Sequence, residues 1–211
     1  GTDFEGWIVP PGDSAWTIVD GSIDCDPRYR APEKNLWTKK EYRNFTLRID
    51  WRIKDTPSVS NTFILRPDGT SQKNIRGEEV KITMPNSDSG IFLRGETAAQ
   101  VNIWCNPVGS GDITGYRVLS PPELLPGFVP KTMADNHIGE WNTFEITLIG
   151  ETITVILNGK TIIDKVKLPN IPDKGRIGLQ HHGNFVNGQY SGGVSLVQFR
   201  NIFIKELSTV T

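Results

Sequence analysis

The strongest constraint on the fold is a strict alternation of apolar and polar residues in FTLRIDWRI (45–53). Apolar side chains occupy every second position, which is the two-residue period of a half-buried β-strand. The segments FEITLIG (144–150) and TITVILNGKTII (152–163) repeat this period, whereas no stretch of a dozen residues has convincing helical periodicity. The sequence therefore predicts an all-β protein.

Turn signals separate the predicted strands. Asn-Gly at 158–159 and Asp-Gly at 20–21 each lie between apolar runs, which predicts two tight hairpins. In the long apolar segment 194–207 the apolar positions change parity near Arg200, which predicts a β-bulge. The irregular region 106–140 is expected to form loops with at most a short helical turn. Many short strands joined in this way are typical of a sandwich or a barrel.

Composition limits the classes of function. The chain has 211 residues, a size that β-sandwiches reach as a single unit, and a formal net charge of -1, which argues against a nucleic-acid partner. No apolar run approaches the roughly 20 residues that span a bilayer.

Cys25 and Cys105 could form one disulfide, but each lies two residues after an isoleucine in a strand pattern, so we favour buried thiols.

Three segments each combine an apolar face with a chemically rich one: GRIGLQHHG (175–183), SGIFLRG (89–95) and AQVNIWC (99–105). Alternation places their aliphatic residues toward the core and the remaining side chains on the opposite face. That second face carries Gln180, His182, Phe92, Arg94, Gln100, Asn102 and Trp104. Planar amides and guanidinium groups suit vicinal hydroxyls, and tryptophan suits the C–H face of a sugar ring. Taken alone, each of these strands fits an ordinary solvated sandwich face better than a site, but the three together indicate a carbohydrate site.

In order along the chain, these and other segments resemble the 3-keto-disaccharide hydrolase domain family. The matching stretches are GW (6–7), WTIVDGSI (16–23), LWTKKEYRNFTLRIDWR (36–52), SDSGIFLRG (87–95), TGYR (114–117), GEWNTFEITLIGETITVILNG (139–159), GRIGLQHHG (175–183) and VQFRNIFIKEL (197–207). The resemblance implies a jelly-roll β-sandwich of two antiparallel sheets, similar to concanavalin A-like lectins and glucanases. We expect a single domain over 1–211 and a secreted or periplasmic glycan-processing protein.

The chain departs from the family pattern in three places. Asp88 stands where the family usually has asparagine, and Gln100 stands where it usually has glutamate, two places before Asn102 in a position that is usually glutamine. The stretch 66–86 resembles an insertion. Gln180 and His182 match the family's Gln-x-His motif. Loss of the carboxylate at position 100 weakens a general-base role for that strand.

The chemistry expected of such a site differs from ordinary glycoside hydrolysis, which needs two carboxylates flanking the bond. No strand in the sequence carries such a pair. In a 3-keto sugar the ketone acidifies the hydrogen on C2, so a single base can start elimination of the C1 substituent. We expect His182 to be this base, Gln180 to orient the sugar, and Arg94 or a bound divalent metal to stabilise the enolate.

Further residues are expected to bind substrate: Gln100, Asn102, Trp104, Tyr116 and Trp37. Tyr116 and Trp37 are as readily interpreted as packing residues, and the parity of His181 places it in the core or an interface. No cofactor is expected, and a divalent metal is left open.

Three functions compete. The first is a glycosyl hydrolase or lyase acting on 3-keto-disaccharides or glucosides, and the second is a non-catalytic carbohydrate-binding module. The third is an interaction domain. An enzyme should show a deep pocket with a perturbed titratable group near His182, and a module should show a shallow groove with exposed aromatics. We expect a carbohydrate partner, no nucleic acid and no membrane span, and we leave the oligomeric state open.

Overall fold

The computed structural model describes residues 1–11, 15–25 and 34–208. The strands are β1 (Trp7–Ile8), β2 (Trp16–Val19), β3 (Ser22–Cys25), β4 (Leu36–Tyr42), β5 (Phe45–Ile53), β6 (Val59–Phe63), β7 (Lys81–Pro85), β8 (Asp88–Leu93), β9 (Glu96–Trp104), β10 (Asn142–Ile149), β11 (Thr152–Leu157), β12 (Lys160–Lys167), β13 (Gly175–Leu179), β14 (Asn184–Val186), β15 (Gln189–Ser191) and β16 (Val197–Glu206). A helix α1 (Thr114–Leu119) and a 3-10 helix (Pro122–Phe128) lie between β9 and β10. In the described ranges no helix has the length and apolar character needed to cross a bilayer.

Two large sheets build the molecule. The front sheet has the order β1-β4-β13-β8-β9, and the back sheet has the order β12-β11-β10-β5-β16-β3-β2. Every strand pair is antiparallel, and β6–β7 and β14–β15 form separate two-stranded sheets. This arrangement is the predicted all-β jelly-roll sandwich, while the extent of a single domain over 1–211 stays a prediction.

The core lies between the two sheets and follows the predicted alternation. In β5 the apolar side chains from Phe45 to Ile53 are at most 6% exposed. The front sheet contributes aliphatic side chains that are at most 2% exposed, namely Ile91, Leu93, Val101, Ile103, Ile177 and Leu179. Burial of apolar surface from both sheets in one cluster is the main stabilising contribution to such a sandwich.

The predicted turns and the bulge are confirmed. The Asn-Gly pair at 158–159 joins β11 to β12, and the Asp-Gly pair at 20–21 joins β2 to β3, all with positive φ. Such φ values match the type I′ turns that suit the twist of a hairpin. The register between β16 and β5 shifts between Arg200 and Phe203, and Asn201 has a φ of 49°. This bulge explains why the apolar parity changes within one strand.

Segment 57–61, which looks like a loop in the sequence, is partly a strand. Val59–Phe63 pairs with Lys81–Pro85, so most of the apparent insertion 66–86 is the tip and second strand of a hairpin. Serine, asparagine and threonine fill the middle of β6, and they give no alternation signal. The hairpin ends three residues before β8 and so stands beside the end of the front sheet.

The cysteines are not joined by a disulfide. Cys25 is buried in β3, and Cys105 is half-buried directly after β9. The preference for thiols over a bridge is therefore confirmed.

A glycine in β13 makes room for an aromatic ring of β4. A Cβ atom on Gly178 would lie 2.5 Å from Cζ3 and 2.6 Å from Cε3 of Trp37. We expect Gly178→Ala to displace this ring and to lower the free energy of unfolding by about 1–3 kcal/mol, measured by urea denaturation. In a Trp37→Leu background the same substitution should cost clearly less, and an equal cost in both backgrounds would contradict this explanation.

Candidate functional site

The outer face of the front sheet brings two predicted amide side chains together. β13, β8 and β9 are neighbours in the sheet, and Gly90 of β8 lies between Gln180 and Gln100. Gln100 Nε2 donates a hydrogen bond of 2.6 Å to Gln180 Oε1, and a Cβ on Gly90 would overlap the Gln100 amide. Gln180 Nε2 has no acceptor among the described residues, so it is left as a donor for a ligand.

An aromatic pair covers the middle of the same face. The rings of Trp37 and Phe92 are stacked, with centroids 5.5 Å apart and planes at 21°. Phe92 is 4% exposed, whereas Trp37 is only half-buried. Trp37 thus lies on the predicted face and offers one flat surface beside Gln180, although it also packs.

Asn102 lies on this face but serves the neighbouring loop. Its N–H donates to the carbonyl of Asp112 at 3.0 Å, and its carbonyl accepts from Gly111 at 2.8 Å. It is 3% exposed, and its side chain helps to hold down the pKa of Asp112, which burial raises. Asn102 therefore supports the loop 106–113 and does not face an open pocket.

Arg94 is the clearest error of the sequence prediction. Its φ of 51° takes it out of β8 into the turn before β9, six residues beyond Asp88, which is about 20 Å along the strand. Its guanidinium donates to the carbonyls of Arg43, Gly150 and Pro172 at 2.7–3.0 Å. With these bonds and 2% exposure, Arg94 fixes loops at the far end of the sheet and cannot reach an enolate near His182.

Tyr116 is also placed away from the other predicted residues. It lies on α1, its ring centroid is 5.7 Å from that of Phe128, and its hydroxyl donates to the carbonyl of Pro169 at 3.1 Å. The contact with the 3-10 helix shows that Tyr116 packs, which is one of the two interpretations left open by the sequence, and a part in substrate binding stays a prediction.

His182 is held in one orientation and one tautomer. Its Nδ1 lies 2.5 Å from the carbonyl oxygen of Gly193, and because a carbonyl only accepts, Nδ1 must carry the hydrogen. The neutral ring then has its lone pair on Nε2, which has no hydrogen-bond partner within the described ranges. His181, by contrast, is 5% exposed and belongs to the interior, as parity predicts.

Asp88 is the functional residue that sequence reasoning did not select. Burial raises the pKa of its carboxyl to about 6, with an opposing contribution from nearby His182 and a reinforcing one from Asp112. Gly193 packs against it, since a Cβ on that glycine would lie 2.5 Å from Cβ of Asp88. The departure from the family's asparagine at this position was the only sequence signal, and it did not reveal the burial.

Asp88 lines a pocket of about 440 Å³ at the end of the front sheet. The walls come from the β6–β7 hairpin, from the end of β9 and from the segment that follows β15, and they include Ser58–Thr62, Met84–Ser87, Trp104, Cys105, Asn106, Tyr190, Gly192 and Gly193. His182 is not a wall residue of this cavity but lies next to one, since its Cε1 is 3.9 Å from the place of a Cβ on Gly192. We call this cavity the Asp88 pocket.

One buried hydroxyl positions both titratable groups. Ser195 Oγ accepts a hydrogen bond of 2.7 Å from the backbone N–H of His182 and donates one of 2.7 Å to the carbonyl of Asp88. Ser195 is 0% exposed, so these bonds are shielded from water. The start of β8 and the end of the β13 segment are thus fixed relative to each other.

The sequence analysis left open whether a divalent metal is bound, and the described residues do not form an evident set of ligands for one. In the portions of the chain that the structure describes, no group of three or more histidine, cysteine, aspartate or glutamate residues could hold an ion. We therefore assign no metal ligand.

A family model described as the 3-keto-alpha-glucoside-1,2-lyase-like domain matches residues 1–205. The chain belongs to this family. The predicted resemblance to the 3-keto-disaccharide hydrolase domain is thereby confirmed. No curated protein matches the chain.

Solved structures share the fold of this lyase-like domain. A suspected glycosyl hydrolase from Parabacteroides distasonis ATCC 8503 matches with a TM-score of 0.62 at 21% identity, covering 98% of this chain and 81% of that one. A second from the same organism has a TM-score of 0.58 at 17% identity, with 98% and 91% covered. Carbohydrate binding module CBM66 from Bacillus subtilis has a TM-score of 0.51 at 14% identity, with 95% and 96% covered. At these identities the likeness establishes the jelly-roll fold.

The raised pKa of Asp88 gives a test in stability. The folded-state value of about 6 exceeds the ordinary 3.8, so the folded protein binds this proton more tightly and loses stability as pH rises through 4 to 6. Asp88→Asn removes the titration and should raise the free energy of unfolding at pH 7 by up to about 3 kcal/mol, with little gain below pH 4. Urea denaturation across pH measures this difference. Exposed Glu145→Gln is the control, and a pH-independent gain for Asp88→Asn would refute the assignment.

Proposed function

We propose that this lyase-like domain is an enzyme that cleaves 3-keto-glycosides in the Asp88 pocket, with His182 as the base and Asp88 as the proton donor. The observation that carries the proposal is the proximity of these two groups, of which Asp88 lines the polar pocket and His182 lies next to its wall residue Gly192. His182 has its Nε2 lone pair unengaged among the described residues, and Asp88 has a pKa of about 6. A carboxyl with a pKa of about 6 is partly protonated close to neutral pH, as a proton donor must be.

The reaction begins with proton removal. The C3 ketone acidifies the C2 hydrogen, and His182 Nε2 takes it, so the C–H electron pair enters the enolate. Collapse of the enolate forms the C1=C2 double bond as the C1–O bond breaks. The leaving oxygen keeps the electron pair of the broken C1–O bond and accepts the proton from Asp88. Addition of water across the new double bond would convert this elimination into a net hydrolysis.

Gln180 takes the role that Arg94 cannot fill. Its Oε1 is held by Gln100, its Nε2 has no acceptor among the described residues, and the residue lies two positions from His182. An amide N–H directed at the developing enolate oxygen stabilises it without a full charge. Trp104 and Tyr190, which line the pocket, offer flat surfaces for the C–H face of the sugar.

The comparisons support glycan chemistry at a coarser level. The family description names a lyase that acts on 3-keto-alpha-glucosides, and neighbours of the same fold are suspected glycosyl hydrolases. Fold alone does not determine the activity, so the argument rests on the site. By the same resemblance we propose that the protein is secreted or periplasmic.

A carbohydrate-binding module without catalysis is the second candidate. Gln100 replaces the family's usual glutamate, and its amide is used to hold Gln180. The likeness to a carbohydrate binding module also fits this function. The two candidates differ in whether the C2 hydrogen of a bound sugar is exchanged.

Methyl 3-keto-glucoside in D2O separates the two proton transfers. His182→Ala should lose both C2 deuterium exchange and methanol release by about 10²–10⁴-fold, because the base is removed. Asp88→Asn should keep more exchange than release, since only protonation of the leaving oxygen is impaired. NMR follows both signals, with Glu145→Gln as the control.

Unchanged exchange in His182→Ala would eliminate His182 as the base. If the unaltered protein binds the glucoside but neither exchanges nor releases methanol, it is a binding module.

A further inference from the structure

A second cavity of about 270 Å³ adjoins the Asp88 pocket. The two share part of their walls, namely Pro85, Trp104, Cys105 and Asn106. Trp104 therefore separates them, and its orientation is fixed because Nε1 donates to the carbonyl of Gly109 at 2.9 Å. The second cavity continues from the Asp88 pocket past the end of β9 toward segment 133–138 and the back sheet.

The walls of the second cavity are largely apolar. Besides Trp104 they include Trp51, Ile53, Met133 and Ile138. Trp51 belongs to the core and is 1% exposed, whereas Met133 and Ile138 are 57% and 46% exposed and lie toward solvent. A flat apolar ring could lie between the buried tryptophan and these outer side chains.

Most polar groups of the cavity are already bonded within the protein. Asn106 donates to the carbonyl of Phe63 at 3.0 Å and accepts from the N–H of Leu65 at 3.3 Å. Asn142 Oδ1 accepts from the N–H of Asn136 and from Nδ2 of Asn158 at 2.7–2.8 Å. A ring rich in hydroxyls would lose its water here without gaining enough hydrogen bonds in return. The cavity therefore disfavours a second sugar.

Among the described residues, one buried side-chain donor of the lining remains unused, while the ring of His137 in the same lining is exposed. Trp51 Nε1 is buried and has no hydrogen-bond partner in the described ranges. A buried donor without an acceptor is unfavourable, so a ligand oxygen next to it would be favoured. The Cys105 thiol adds no charge, because burial raises its pKa to about 11.

We infer that the second cavity binds the leaving group of the substrate, and that this group is an aromatic ring carrying an oxygen acceptor. The inference rests on the proposed function for the direction of the glycosidic bond, with the 3-keto sugar in the Asp88 pocket. Trp104 then contacts both halves of the substrate. The preferred substrates are aryl glycosides, and disaccharides are poorer ones.

Binding can be tested without catalysis. Acetophenone, which has one ring and one carbonyl oxygen, is the probe, and glucose is the comparison, both followed by saturation-transfer NMR. Acetophenone should bind, Met133→Trp should weaken it by at least ten-fold by filling the cavity, and Trp51→Phe should weaken it several-fold. Ile75→Trp, at a fully exposed position of the β6–β7 hairpin, is the control for an added tryptophan. Equal binding by Met133→Trp, absence of acetophenone binding, or competition by glucose would overturn the inference.

Turnover provides the second test. The value of kcat/KM for phenyl 3-keto-glucoside should exceed that for the corresponding 3-keto-disaccharide by at least ten-fold, and Met133→Trp should remove most of this preference. A preference for the disaccharide would overturn the inference. His182→Ala should abolish turnover but leave acetophenone binding intact. If nothing is turned over but acetophenone still binds in a Met133-dependent manner, the proposed function fails and the aromatic site stands.

Discussion

The Ser195 hydroxyl is the contact on which the candidate site depends. It is buried, accepts from the backbone of His182 and donates to the backbone of Asp88. These two residues come from strands that are adjacent in the sheet but 94 positions apart in sequence, and the sheet register alone does not fix their ends. A shielded hydroxyl that serves two backbone groups holds the proposed base and the proposed acid in a constant relation.

Packing confines the chemistry to one end of the front sheet. The middle of the polar face is closed, because Gln100 is 7% exposed and Asn102 is 3% exposed. Gly90 and Gly178 have no side chains, and the Gln100 amide and the Trp37 ring occupy the space above them. Gln100 and Gln180 hold one another there, and Gln180, His182 and Asp88 are described residues at this end of the face that keep side-chain hydrogen-bonding capacity. The same burial that closes the face raises the pKa of Asp88.

Much of the fold and part of the site could be predicted from the sequence because the strands are regular. Period-two alternation assigned the correct faces of β8, β9 and β13, and therefore the meeting of Gln100 with Gln180. The argument failed for Arg94, because a positive φ ends the alternation just before that residue. For Tyr116 the sequence left packing and substrate binding open, because the tertiary contacts of the helix that carries it are not recorded by any local period.

Asp88 was missed for a different physical reason. Its sequence neighbours are serines and a glycine, and nothing local makes its carboxyl unusual. The raised pKa comes from burial of the carboxyl, against which Gly193, more than 100 residues away, packs, and from the charge of Asp112, while His182 opposes it. Local sequence patterns do not report such desolvation, because it exists only in the folded protein.

The β6–β7 hairpin pairs only with itself, yet it supplies one wall of the Asp88 pocket. Its residues contribute little to the sandwich interior, so exchanges there need not disturb the core. Insertions, deletions or substitutions in the β6–β7 hairpin could therefore change which ligand the Asp88 pocket prefers. The residues proposed to be catalytic would stay in place. In evolution, proteins of this kind could therefore change their ligands more readily than their fold.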